Sequence, residues 1–204
     1  IAIETTFGNL RYFKRLPEGT ECAVATSKVI NLSDVFGDSD QTNKFVTRYL
    51  QSTHCDLFFA DAAILVEGVA ESMLLPHFIR SKFPELYQRY ITILGVNGRH
   101  AHRLSPLIEK LCLPTLVITD LDPAEKEGYH KSVVLKRGEG QISGNYAIAK
   151  WLMKEKDIDK LVDYSEDKKE FSFASPYRFS IRLAYQTPVK VDFEGEEKEA
   201  IPGT

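Results

Sequence analysis

The most constraining feature of this sequence is a continuous apolar run, Ala62-Ala-Ile-Leu-Val66, that ends at Glu67. A strand without polar residues is buried on both faces, as the inner strands of a parallel sheet are. Two similar runs follow, and a segment with helical spacing precedes each of them. These runs lie at residues 90–96 and 114–119, and the helical segments at 72–83 and 103–111. The alternation predicts an α/β fold in which helices flank a parallel sheet.

Composition narrows the class of protein. The 204 residues are 43% hydrophobic, and 26 Lys and Arg against 29 Asp and Glu give a net charge of −3. This balance argues against disorder and against a globally basic protein that coats nucleic acid. No apolar run approaches the ~20 residues that span a bilayer, so we expect no membrane partner. Without a secretory signal we expect a cytoplasmic location, and we interpret Cys22, Cys55 and Cys112 as buried free thiols.

The rest of the chain divides into an N-terminal connector, residues 1–60, and a catalytic domain, residues 61–204. In the connector we predict short strands at 10–13, 22–26 and 29–32, and a helix from about Asp38 to Phe59. Beyond Asp122 we predict a loop (123–143), a helix (145–162), a solvated charge run (163–170), strands at 180–185 and 189–193, and a hairpin turn at 194–195. The polypeptide has the character of a piece of a longer protein.

Four acidic residues follow the predicted inner strands. Glu67 comes directly after the first apolar run, Gly68 permits a sharp exit, and Glu71 falls in the first turn of the next helix. Asp120 and Asp122 close another strand and, two residues apart, should share one face. Because ligands bind outside the carboxyl ends of parallel strands, we expect these acids to converge there.

Converging carboxylates repel one another unless a cation compensates. Hard divalent ions such as Mg²⁺ prefer all-oxygen ligands, and two ions about 4 Å apart can clamp the attacking and leaving oxygens of a phosphodiester. We therefore predict a metal site here. It would hold one divalent ion or, as the clamping of two phosphodiester oxygens favours, two. Each acid alone is more typical of a helix cap or a solvated charge than of a metal ligand. The ordered combination of all four is more specific.

The residues that carry these acids resemble a known family. Ile64-Leu-Val-Glu-Gly-Val-Ala-Glu71 and Val117-Ile-Thr-Asp-Leu-Asp122, with the strand between them, are similar to the Toprim domain of topoisomerases, bacterial primases and several nucleases. The flanks more closely resemble nucleases of the OLD (overcoming lysogenization defect) family, namely Leu57-Phe-Phe-Ala-Asp61, Leu74-Leu-Pro76, Asn145 to Leu152 and Tyr185-Gln-Thr-Pro188. In that family the Toprim domain follows an ABC-type ATPase. The similarity covers nearly the whole chain, most specifically residues 57–123.

The resemblance implies a Toprim-type, Rossmann-like fold and a Mg²⁺- or Mn²⁺-dependent DNA endonuclease. Glu67 matches the Toprim glutamate that binds metal or acts as general base, and Glu71, Asp120 and Asp122 match the remaining metal ligands. It also implies a bacterial protein that forms homo-oligomers through an ATPase domain, the only part expected to bind ATP. The sequence contains no Walker A motif, so we expect that domain to lie outside these residues. The family's further ligand segment and catalytic lysine should lie beyond Thr204, so this piece alone is expected to be weakly active.

A polar stretch after the second strand is the candidate DNA contact. It contains Asn97, Gly98, Arg99, His100 and Arg103, which lie at the same end of the sheet as the acids. Basic groups there would hold the phosphate backbone, and the glycine would permit close approach. The alternative interpretation is an exposed, basic start of a helix.

Two other functions remain open at this point. A haloacid-dehalogenase-like phosphatase also places D-x-D after a hydrophobic strand, with Asp120 as nucleophile. It would have Thr or Val where this chain has Ala124, and it does not require the Glu67–Glu71 element. The other alternative is a non-catalytic metal-binding or assembly module.

Overall fold

An antiparallel hairpin begins the described part of the chain. The computed structural model describes residues 9–16, 18, 23–32, 35, 55–96, 100–126, 132–152, 155–174, 177–193 and 196–200. Strands β1 (Arg11–Leu16) and β2 (Thr26–Asn31) form the hairpin, in which Tyr12 lies opposite Ile30. Ile30 and Leu32 are buried in the main core, so the hairpin packs onto the sheet that follows.

Three of the five strands in the central sheet are the parallel strands that the apolar runs predict. They are β3 (Ala62–Val66), β4 (Ile91–Gly95) and β5 (Thr115–Ile118), and β3 pairs in parallel with both of the others. Helix α1 (Val69–Lys82) and the single turn α2 (Pro84–Tyr87) connect β3 to β4, and α3 (Ser105–Leu111) precedes β5. The predicted α/β alternation is confirmed.

The remaining elements extend this sheet and cover it. They are β6 (Pro123–Ala124), β7 (Ile142–Ser143), α4 (Tyr146–Trp151), α5 (Ile158–Val162), β8 (Glu170–Phe173), β9 (Phe179–Ala184), β10 (Val189–Phe193) and β11 (Glu196–Ala200). Strand β9 pairs in parallel with β5, and β8 pairs antiparallel with β9. The order β4-β3-β5-β9-β8 makes the sheet mostly parallel, with one antiparallel edge strand.

Apolar side chains from the sheet and helices meet in one core. The parallel strands contribute side chains that are almost inaccessible to solvent, namely Leu65, Leu94, Val117 and Leu183. Leu107, Ile108, Ile148, Trp151 and Leu161 cover the sheet from helices α3, α4 and α5. Within the described residues, no helix is long and apolar enough to cross a bilayer.

Several predictions beyond Asp122 were wrong in detail. The expected loop 123–143 contains the antiparallel pair β6 and β7, and the expected helix 145–162 is two helices. A backbone bridge between Ile142 and Asp157 lies where one continuous helix would have run. The charge run 163–170 is not simply solvated, because Lys169 is only 2% exposed and residue 170 begins β8.

Lys169 is buried because its charge has partners. Its Nζ lies 3.0 Å from Oε1 of Glu166 and 4.8 Å from the centre of the Tyr185 ring. A buried ammonium group requires such compensation. No local pattern indicates this burial, since the aromatic ring comes from the residue that follows β9.

The structure describes only some of the residues for which we predicted strands and a helix in the connector. Residues 23–25 are not strand, whereas β2 overlaps the strand expected at 29–32. The expected helix 38–59 ends in a 3₁₀ turn, Cys55–Phe58, and its earlier residues lie outside the described ones. Cys112 is a buried free thiol as expected and Cys55 is a half-buried one; Cys22 is outside the described residues. The boundary near residue 60 remains a prediction.

Candidate active site

The carboxyl edge of the sheet places Glu67 beside Thr119. Val66 pairs with Ile118, so the residues that follow β3 and β5 leave the sheet next to each other. The Thr119 hydroxyl donates a hydrogen bond to Oε1 of Glu67. Thr119 is 4% exposed, and Glu67 is half-buried. The register of the parallel strands therefore fixes one oxygen of this carboxylate.

Asp120 and Asp122 lie beyond the end of β5 rather than on it. The strand ends at Ile118, and Asp122 has φ 47°, in the left-handed region that non-glycine residues rarely adopt. Leu121 between them is fully buried. The strand-alternation argument does not apply to this pair, because both residues lie in an irregular segment after β5.

Asn145 connects the acids. Its Nδ2 lies 2.9 Å from Oε1 of Glu67 and 3.1 Å from Oδ2 of Asp122. The same nitrogen lies 2.8 Å from the Thr119 hydroxyl and 2.9 Å from the backbone oxygen of Asp120. Residues that follow β3 and β5 therefore meet at one amide group, which stands at the N-terminus of α4.

Glu71 lies in the first turn of α1 and folds back over Gly68. A side chain at Gly68 would collide with Oε2 of Glu71, so the absence of a Cβ there makes room for this carboxylate. Among the described residues, Oε2 is a buried oxygen with no hydrogen-bond partner. Such an atom is costly in a folded protein unless an ion or water completes it.

The pKa of Asp120 reflects both its burial and its acidic neighbours. Burial raises the pKa of this carboxyl above its ordinary value, and the negative charges of Asp122 and Glu71 raise it further. A hydrogen bond from Gln186 acts in the opposite direction. The repulsion indicates that these three acids share one local environment.

The donors fit a hard divalent cation in chemical type. Carboxylate oxygens converge, one of them is buried without a partner among the described residues, and their mutual repulsion is the kind that a cation relieves. Within the described part of the chain, however, no three His, Cys, Asp or Glu side chains form a ready-made metal cluster. The residues therefore fit such an ion in charge and in oxygen chemistry.

The candidate DNA stretch is only partly described. Asn97, Gly98 and Arg99 lie outside the described residues. His100 precedes a 3₁₀ turn, Ala101–Leu104, and its backbone oxygen accepts a hydrogen bond from the backbone nitrogen of Arg103 at 2.9 Å. Both His100 and Arg103 are half-buried.

The same turn adjoins the acidic edge. The ring of His102 lies 5.7 Å from that of Tyr146, the residue after Asn145. The turn therefore lies on the side of the sheet where the acids are. Its contact with DNA remains a prediction.

Three residues of this edge were missed by the sequence analysis. They are Thr119, Asn145 and Gln186, all uncharged. The available signals were weak: a polar residue closing an apolar run, an Asn at the start of a predicted helix, and a glutamine in the 185–188 stretch. None of these features predicts a contact with a distant acid.

Comparison with known proteins identifies the fold. Residues 58–122 match the family described as "Overcoming lysogenization defect protein-like, TOPRIM domain". This part of the chain is an OLD-family Toprim domain. The matched residues include all four predicted acids and strands β3, β4 and β5. The resemblance to an OLD-family Toprim domain that the motifs indicated is therefore confirmed.

A curated relative agrees with this assignment. The chain containing the Toprim domain is 32% identical over 161 residues to "Endonuclease GajA" of Bacillus cereus (strain HuB5-5). The alignment covers 79% of this chain but only 22% of the relative. The chain spans about a fifth of that relative's length.

Proposed function

We propose that this Toprim domain is the catalytic part of a larger ATPase–nuclease and hydrolyses DNA phosphodiesters. The observation that carries the proposal is the hydrogen-bonded link from Glu67 through Asn145 to Asp122, at the Toprim edge of the sheet. The similarity to a protein named an endonuclease supports DNA as the substrate.

Each acid has a role in this proposal. Asp120, Asp122 and Glu71 hold divalent ions, Mg²⁺ or Mn²⁺, and Glu67 holds an ion or accepts a proton from the attacking water. Two such ions, when bound, stabilise the charge that develops on the attacking and leaving oxygens. Because Thr119 and Asn145 both engage Oε1 of Glu67, its Oε2 is the oxygen left for that work.

The remaining roles concern the substrate and the assembly. We propose that Asn97, Gly98, Arg99, His100 and Arg103 contact the DNA backbone. Homo-oligomers form through an ATPase domain outside this chain, which is also where ATP binds. We also propose that the protein is bacterial and that it is located in the cytoplasm.

The test is cleavage of supercoiled plasmid by the intact protein with Mg²⁺ or Mn²⁺, with and without ATP. We expect nicked or linear product that EDTA prevents. Glu67→Gln and Asp120→Asn should each reduce the rate by at least about 100-fold. Asp163→Asn is the matched control, since that acid is 65% exposed and pairs with Arg137 instead.

Two outcomes would contradict the proposal. Cleavage that survives both substitutions would refute the site. A wild-type protein that binds the ions but cuts no DNA would favour the non-catalytic metal-binding module. The family match favours a nuclease over the phosphatase alternative, and a stable aspartyl-phosphate on Asp120 would reverse that preference.

A further inference from the structure

We infer that Asn145 is a positioning residue whose side-chain amide holds Glu67 and Asp122 in the arrangement that binds divalent cations. The inference rests on the proposed function for the identity of the ligand. It concerns an uncharged residue at the start of α4, outside the matched Toprim segment 58–122.

The orientation of the amide is fixed by the helix. Oδ1 of Asn145 accepts hydrogen bonds from the backbone nitrogens of Ala147, at 2.8 Å, and Ile148, at 3.3 Å. This is N-terminal capping, for which Asn is among the preferred residues. With Oδ1 engaged by the helix, Nδ2 must point toward the acids. The residue is 1% exposed, so solvent does not compete for these contacts.

Nδ2 has more acceptors than hydrogens. Four oxygens surround it at 2.8 to 3.1 Å, whereas an amide nitrogen carries two hydrogens. The Thr119 hydroxyl accepts from this amide and donates to Glu67, so it links the amide to Glu67 a second time. A neutral donor at this point offsets part of the repulsion between Glu67 and Asp122, while it contacts a single oxygen of each carboxylate.

Asn145 holds one oxygen of each of these two carboxylates. Asn145 engages Oε1 of Glu67 and Oδ2 of Asp122, so both side chains are tied to the same rigid helix start. The contacts of Asn145 and Thr119 fall on Oε1 and leave Oε2 of Glu67 to a cation. Groups that orient metal-binding carboxylates in this way typically change metal affinity about 10- to 100-fold when they are removed.

The decisive variant is Asn145→Ser in the intact protein. Serine caps a helix about as well as asparagine, but its short side chain has no amide to reach the acids. We expect Mn²⁺ binding, measured by electron paramagnetic resonance without DNA, to weaken about 10-fold or more. Asp157→Ala is the matched control, because it removes the cap of α5, where Oδ1 accepts from the backbone nitrogen of Lys160, and leaves the Mn²⁺ affinity unchanged.

A second variant keeps the inference testable should Asn145→Ser unfold. Asn145→Asp preserves size and capping but replaces the donor with a further negative charge beside Glu67 and Asp122. We expect a lower melting temperature in EDTA and a larger rise on adding Mn²⁺ than wild type shows.

The outcomes separate this inference from the proposed function. Wild-type Mn²⁺ affinity in Asn145→Ser, or a wild-type response of Asn145→Asp to EDTA and Mn²⁺, would show that Asn145 is only a helix cap. Wild-type protein that binds no Mn²⁺ would overturn the inference whether or not it cuts DNA. If Mn²⁺ binds and Asn145→Ser weakens it while no DNA is cut, the inference stands and the nuclease proposal fails.

Discussion

Gln186 reaches back across the sheet edge to Asp120. Its Nε2 donates a hydrogen bond to Oδ1 of Asp120, and its Oε1 accepts one from the backbone nitrogen of Leu121 at 2.8 Å. Since Gln186 follows β9 and Asp120 follows β5, the pairing of these two strands creates the contact. One side chain thus holds both the carboxylate and the backbone of the D-x-D segment.

The first prediction concerns the charge on Asp120. Asp120→Asn keeps an oxygen that can accept from Gln186 but removes the repulsion from Asp122 and Glu71. We therefore expect a higher melting temperature than wild type in EDTA, and a smaller gain on adding Mn²⁺. Thermal unfolding of both proteins with and without the ion measures this. A lower melting temperature in EDTA would show that the charge is already compensated within the chain.

The second prediction concerns the backbone at Asp122. Its φ of 47° suits Asn and Asp better than residues whose side chains cannot bond locally. Asp122→Ala should lower the free energy of unfolding by about 1 kcal/mol more than Asp122→Asn does. The pair Asp163→Ala and Asp163→Asn, at φ −87°, should show no such difference. Chemical denaturation in EDTA measures all four, and equal losses at residue 122 would contradict the explanation.

The third prediction concerns the space above Gly68. Gly68→Ala places a methyl group against Oε2 of Glu71 and should displace that carboxylate. The backbone at this position, φ −115° and ψ 167°, accommodates alanine, so we expect a folded protein with slower cleavage. In a Glu71→Ala background the same substitution should have no further effect. Additive losses of activity in this double-mutant cycle would show that Gly68 acts independently of Glu71.

The fourth prediction concerns Glu166 and pH. Hydrogen bonds from Arg182 and Lys169 lower the pKa of this carboxyl. Its contribution to stability is therefore present above the unfolded-state pKa and is lost as pH falls through the lower folded-state pKa. Because the side chain is 63% exposed, Glu166→Gln should cost only about 1 kcal/mol at pH 7. The difference in stability between Glu166→Gln and wild type should vanish in acid. Asp167→Asn serves as a neighbouring control. A difference that does not depend on pH would contradict the mechanism.

Much of the fold was predictable because its signals are local. A strand buried on both faces requires an unbroken apolar run, so β3 is visible in the sequence itself. The same reasoning located β4 and β5, and the acids at the ends of β3 and β5. The strand at 170–173 was missed because its flanking charges resemble a solvated surface, although Lys169 is buried.

By itself, the sequence determined the alternation of strands and helices and the presence of Glu67, Glu71, Asp120 and Asp122 after buried strands. Only the tertiary structure decided which neutral residues hold those acids. Asn145 lies 78 residues from Glu67, and Gln186 lies 66 residues from Asp120, so no local pattern records either contact. The physical reason is that hydrogen bonds at a sheet edge depend on which strands are neighbours, and the strand order arises from long-range packing.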